Sequence, residues 1–141
     1  MAGTGAGTGA GTGSETGMRE AAAVAVPGPI GKHCVITVRN IPDPGVLERI
    51  ETIKPLLELI IRECDLHVVG EAFHQFSPIG ATYVYVLEES HMSIHTYPEL
   101  QSCYMDIFCC SQEFEPEKAI QVIRTWFNIR NEDMNWTVLI R

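Results

Sequence analysis

Glu89, Ser90, His91, His95 and Glu99 crowd into one short stretch, EESHMSIHTYPE at residues 88–99, and Cys110 follows Ser90 by twenty residues. Hydroxyl, imidazole, carboxylate and thiol are the types that attack carbonyls, move protons or hold metals. Taken singly, each has a duller use. A serine after a strand is commonly a turn residue, and one cysteine at a strand end is commonly a buried thiol. His91 and His95 have the HxxxH spacing of a metal pair on a helix. The β-branched Ile94 and Thr96 and the Tyr97-Pro98 step argue against a helix here, so that spacing loses most of its force.

The surrounding elements must position these groups. Residues 33–39, HCVITVR, alternate like a half-buried strand, and Ile41 to Gly45 form a turn cluster. Val46, Leu47, Ile50, Ile53, Leu57, Ile60, Ile61 and Cys64 recur at helical steps, predicting an amphipathic helix over 46–64 with a kink or break at Pro55. Residues 66–76 predict a strand, Ser77 to Gly80 a tight turn, and 82–88 its hairpin partner. Strands follow at about 93–97 and 103–110, then a helix over 116–129 opened by Pro116. Ile120, Ile123 and Phe127 mark its buried face, flanked by Ala119 and Trp126, and WTVLIR closes the chain as a strand. Two helices with five or six strands dominated by hairpins predict an α+β two-layer sandwich, one antiparallel sheet with both helices on one face.

Residues 1–17 are a Gly/Thr/Ala repeat with little to bury, and Pro27-Gly28-Pro29 continues it as a linker. This predicts a disordered tail over 1–29 and one folded domain over 30–141. The net charge of -8 argues against nucleic acid as a partner, since such binders carry a basic stripe. No secretory signal stands at the start, and no run approaches the roughly 20 apolar residues of a membrane span. Five cysteines (Cys34, Cys64, Cys103, Cys109 and Cys110), with no CxxC spacing, suit reduced thiols in a soluble cytoplasmic protein.

Together the reactive residues resemble a known pattern. Gly31-Lys-His33, His74-Gln-Phe-Ser-Pro78, Glu89 to Glu99 and Asp106-Ile-Phe-Cys-Cys110 stand in the order found in the short prokaryotic type of S-adenosylmethionine decarboxylase proenzyme. The resemblance spans about residues 31–141. It implies that Ser90 attacks the carbonyl of Glu89, that the chain cuts itself between them, and that Ser90 becomes a covalent pyruvoyl group. That group would form a Schiff base with the amine of S-adenosylmethionine and accept electrons as carbon dioxide leaves, supplying the aminopropyl donor for spermidine and other polyamines. No dissociable cofactor and no metal is then required.

By the same resemblance His95 is the acid/base of self-processing, supported by the hydroxyl of Thr82, and Cys110 is the proton donor after decarboxylation. An imidazole titrating near 6.5 and a thiol titrating around 8.5 suit those tasks. Phe76 would stack on adenine and Glu99 would accept hydrogen bonds from the ribose hydroxyls. His74 and His91 belong to the pattern without an assigned chemistry, His91 as a structural residue. The resemblance further implies a homodimer of cleaved protomers with active sites shared between chains.

Tyr97, Cys109, Ser111, Tyr83 and Glu88 depart from the usual residues of the pattern, and none removes a group the cleavage needs. They leave open a related pyruvoyl enzyme acting on ornithine or arginine, although Phe76 and Glu99 favour a nucleoside. A non-catalytic regulatory homologue would be expected to lose Ser90, His95 or Cys110, all present here. A metal module on His91, His95, Cys109 and Cys110 is a weaker alternative.

Overall fold

The structure, a computed structural model, describes residues 30–141; the tail expected over 1–29 lies outside the described residues. Six strands form one sheet: β1 (Lys32–Val38), β2 (Val68–Gln75), β3 (Ala81–Leu87), β4 (Ser90–Tyr97), β5 (Ser102–Cys109) and β6 (Met134–Ile140). Their spatial order is β2-β3-β4-β5-β1-β6, every pair antiparallel. Two helices, α1 (Ile50–Glu63) and α2 (Pro116–Phe127), complete the fold.

Alternation decides which face of the sheet is covered. Cys34, Ile36 and Val38 on β1, Tyr83, Tyr85 and Leu87 on β3, Met92 and Ile94 on β4, and Met105 and Ile107 on β5 are all buried on one side. Ile53, Leu56, Leu57 and Ile60 of α1 and Ala119, Ile120, Ile123 and Phe127 of α2 fill the space above them. Both helices therefore lie on one face, as the α+β two-layer sandwich requires. The opposite face carries Val35, His91, Ser93, His95, Tyr104 and Asp106, with no layer over it among the described residues.

Two sequence expectations are corrected. The first helix does not run from Val46. Pro44–Leu47 is a separate 3-10 turn whose Gly45 N–H bonds Asp43, and Arg49 is extended before α1 starts. The break therefore precedes Pro55, and α1 continues through it. Pro55 and Glu51, whose carbonyl loses its partner, lie on the exposed side. Trp126, read as flanking the buried face of α2, is 38% exposed beside the buried Ile123 and Phe127. Finally, β4 begins at Ser90 rather than 93, because Ser90 already pairs with Leu87 and Cys109.

Candidate functional site

The β3–β4 hairpin has a loop of only two residues, Glu88 and Glu89. Such tight loops need positive φ, ordinarily at the loop residues themselves. Here the positive φ falls on Ser90, at 145°. L side chains rarely adopt that conformation, which stores strain beside the Glu89–Ser90 bond. Ser90 Oγ lies 3.5 Å from Cys110 Sγ. The N–H of Cys110 donates to the carbonyl oxygen of Glu89 at 2.9 Å. A donor on that oxygen stabilises negative charge developing there if the carbonyl is attacked.

Cys110 reaches this point because β5 pairs with β4 along its whole length, leaving Cys109 opposite Ser90 and Cys110 one residue beyond. Gly31 allows the other side of the approach. A Cβ there would stand 2.7 Å from the Cys109 carbonyl oxygen and 3.2 Å from Cys110 Cα. Of the five free cysteines Cys110 alone is exposed. Burial pushes the Cys34 and Cys64 thiols up to about 11 and Cys103 to about 12, so these are structural thiols.

A second group of residues sits at the other end of β4. Thr82 Oγ1 and His95 Nδ1 are 3.0 Å apart across the β3–β4 pair. Beside them a cavity of about 520 Å³ is lined by Phe76, Pro78, Thr82, His95, Tyr97 and Glu99 among others, a size that suits a small organic ligand. Phe76 meets His74 edge-on at 4.7 Å, and Tyr97 meets Tyr104 edge-on at 5.5 Å, so both lining rings are braced by an aromatic neighbour. Gln75 fastens this end. Its amide nitrogen donates to the carbonyls of Glu48, Phe76 and Gly80, and its oxygen accepts the N–H of Ile50 at the start of α1. Gly80, at φ 98°, closes the β2–β3 turn, where an added Cβ would stand 3.5 Å from Pro98 Cδ.

The structure therefore brings Glu89, Ser90 and Cys110 together, and separately Phe76, Thr82, His95 and Glu99. It does not join the two groups within one chain. Ser90 and His95 are five residues apart on one extended strand, about 17 Å at the usual rise.

His91 and His95 do not converge on a metal either, because they are spaced along a strand, and Cys109 is buried on the helix-covered side. His91 joins a different cluster. His91 Nε2 and His33 Nε2 lie 2.9 and 2.8 Å from Asp106 Oδ2, and Ser93 donates to Asp106 Oδ1. Burial works against ionisation of Asp106, but the bonds from Ser93, His33 and His91 outweigh it and hold the carboxyl below its usual range. Sequence reasoning gave Asp106 no role and missed Gln75 and His67. Asp106 and Gln75 already stood inside the motifs, whereas His67, on the loop before β2, carried no sequence signal.

A hydroxyl on a strained strand start, with a backbone donor on the preceding carbonyl and a thiol alongside, defines a class. It is an α+β protein in which a serine hydroxyl, a thiol and a hydrogen-bonded backbone carbonyl meet at one tight hairpin. Comparison with known proteins narrows the class. The sequence pattern of the family described as S-adenosylmethionine decarboxylase matches residues 32–138, and the chain belongs to that family. The S-adenosylmethionine decarboxylase proenzyme of Methanococcus aeolicus is 39% identical over 95 residues, covering 67% of this chain and 80% of that protein. The proenzyme of Aquifex aeolicus is 33% identical over 104 residues, covering 74% of this chain and 76% of that one. The crystal structure of the adenosylmethionine decarboxylase from Aquifex aeolicus superposes with a TM-score of 0.72 at 30% identity, over 81% of this chain and 92% of that one. Among the described residues no helix is long and apolar enough to cross a membrane.

Proposed function

We propose that this chain is a self-processing S-adenosylmethionine decarboxylase, cut between Glu89 and Ser90. The observation that carries this is Ser90 at φ 145° with the preceding carbonyl already hydrogen-bonded by the Cys110 N–H. Ser90 Oγ attacks the Glu89 carbonyl carbon, the C–N bond breaks, and an ester replaces the amide. Elimination across Cα–Cβ of residue 90 then releases Glu89 as a carboxylate. Water converts the remaining enamine to a ketone with loss of ammonia. The strain at Ser90 favours the first step because breaking the amide relieves it.

The residues present fit the resulting pyruvoyl group: it would sit at the head of β4 under the Cys110 thiol, held by the β3 and β5 pairings. Bound there, its ketone supplies an electrophile for a substrate amine and an electron sink for loss of carbon dioxide. Cys110 Sγ, exposed and next to that position, returns a proton to the carbon that lost the carboxyl group. Phe76 and Tyr97 offer flat faces to adenine, and Glu99 offers a carboxylate to the ribose hydroxyls. These contacts favour the nucleoside over ornithine or arginine, which have neither group.

The separation of the two clusters bears on assembly. Substrate recognition at Phe76 and Glu99 and chemistry at Ser90 lie at opposite ends of β4, the strand that sets His95 on the open sheet face. A second copy stacked on that face about a two-fold axis would set one chain's Ser90 end against the other's His95 end. The exposed Val35, Val86 and Tyr104 on the same face supply apolar surface for it. We infer a homodimer in which His95 and Thr82 serve the partner's Ser90. Intact-mass spectrometry with a carbon dioxide release assay tests the function. Two fragments, and release from S-adenosylmethionine, are expected. A chain that stays whole, or release from ornithine or arginine alone, would overturn it.

A further inference from the structure

His67 lies outside every motif described above, on the short loop between α1 and β2, yet it makes three hydrogen bonds to the turn before Ser90. Its carbonyl accepts the Glu88 N–H at 2.9 Å. Its own N–H donates to Glu89 Oε2 at 3.2 Å, and its ring Nδ1 lies 2.5 Å from Glu89 Oε1. Both carboxylate oxygens of Glu89 are thus engaged by one residue. The Glu89 side chain is only 15% exposed, although it sits at a hairpin tip.

Charge reinforces this contact. The hydrogen bond and charge of Glu89 raise the His67 imidazole above its ordinary value, with Asp65 and Glu88 adding to the effect. Burial opposes ionisation of Glu89, but the bonds from the His67 ring and backbone outweigh it and hold that carboxyl low. The pair is charge-assisted, with Asp65 from the His67 loop and Glu88 from the turn as the other charged groups facing the ring.

The geometry of the turn shows what such a clamp does. A free two-residue loop would take the positive φ itself. Neither Glu88 nor Glu89 has positive φ here, and Ser90 does. Glu88 is tied through its N–H and Glu89 through both side-chain oxygens, so neither can swing through the backbone flip that would relax the turn. The reversal is passed to the next residue. We propose that His67 is a positioning residue, clamping the Glu88–Glu89 turn so that the strained conformation falls on Ser90 and speeds self-cleavage. This role rests on the self-processing function proposed above. After the cut, the same bonds keep Glu89, the new end of the first fragment, docked.

The test follows cleavage of freshly translated full-length protein on denaturing gels. Wild type is compared with His67→Ala and His67→Asn, the latter retaining an amide N–H near the place of Nδ1. Melting temperatures are taken on the same substitutions in the uncut Ser90→Ala background. Loss of a charge-assisted hydrogen bond to the turn should slow cleavage roughly tenfold in His67→Ala, with His67→Asn recovering to within about threefold of wild type. Melting temperatures should stay close together, since the His67 side chain is mostly exposed. Wild-type speed in His67→Ala, or equal slowing in His67→Asn, overturns the role of His67 alone. A wild-type chain that never cuts removes the self-processing function, and this role with it.

Discussion

The backbone N–H of Cys110 holds the carbonyl oxygen of Glu89 at 2.9 Å, across the strand pair whose last partners are Ser90 and Cys109. One residue thereby addresses both halves of the proposed chemistry. Its amide polarises the bond to be cut, and its side chain, 3.5 Å from Ser90 Oγ, remains beside the group the cut leaves behind. The position of that amide depends on how closely β1 packs at its start.

Gly31→Ala tests that dependence. The added methyl would press on the Cys109 carbonyl and on Cys110 Cα, both backbone atoms that cannot turn aside. Displacing the donor should slow cleavage by about tenfold or more, as loss of a donor to a developing oxyanion does. The hydrogen bonds that Ile30 and Gly31 share with Arg141 should still form, so the protein should fold. A pulse-chase gel showing wild-type cleavage would remove the Cys110 amide from the mechanism.

Strain at Ser90 is measurable once cleavage is blocked. Ser90→Ala and Ser90→Gly should both yield uncut 15.6 kDa chains. Glycine accepts a φ of 145° freely and alanine does not, so the glycine variant should be more stable by about 1 kcal/mol. Denaturant unfolding compares them. An alanine variant equal or superior in stability would mean the turn holds no strain.

Much of this was legible in the residue pattern, for identifiable reasons. The strands with one buried face, β1, β3 and β5, alternate cleanly, and both helices carry apolar residues at steps of three and four. Ser90 and Cys110 could be paired from their motif. The start of α1 was misplaced because Val46 and Leu47 continue the apolar period while sitting in a separate turn. Gln75 and His67 act through contacts 22 to 27 residues away in sequence, which local periodicity cannot register. The split of the site was implicit in one strand: five extended residues separate Ser90 from His95 whatever their chemistry.

Cys110 should behave unlike the other thiols. Native protein treated with an alkylating reagent should lose this thiol first, since Cys34, Cys103 and Cys109 are buried and Cys64 is half-buried. Cys110→Ala keeps the backbone donor and should still cut, while decarboxylation falls about a hundredfold, the scale of a lost general acid. Peptide mapping and turnover assays check both points. Full activity in the variant would dismiss the thiol as proton donor.

Asp106 links the open face to pH. Its carboxyl is held below the ordinary value by Ser93, His33 and His91 against the cost of burial, so the folded state binds that proton less readily than the unfolded chain. The stabilisation is complete above about pH 5 and is lost as pH falls through about 4 towards the depressed folded value. Asp106→Asn should be less stable at pH 7 by about 1–2 kcal/mol and lose less on further acidification. Parallel stability curves for the two proteins from pH 7 to 3 would contradict this.

If each site is assembled from two chains, defects at opposite ends of β4 should complement. A Ser90→Ala chain lacks the reactive group but keeps an intact Phe76–Glu99 cavity. A Glu99→Ala chain makes the reactive group but has a damaged cavity. Neither homodimer should turn over substrate well. In a mixed dimer one site takes Ser90 from the second chain and Glu99 from the first, and is whole; the other carries both defects. Each mixed dimer then has one good site of two, so mixed dimers isolated after co-expression should recover about half of wild-type activity per dimer. Co-expression with distinct tags, tandem purification and a carbon dioxide assay would measure it. Activity no greater than the sum of the separate mutants would mean that the 17 Å gap along the strand, about five residues of rise, is bridged in some way other than by a second copy.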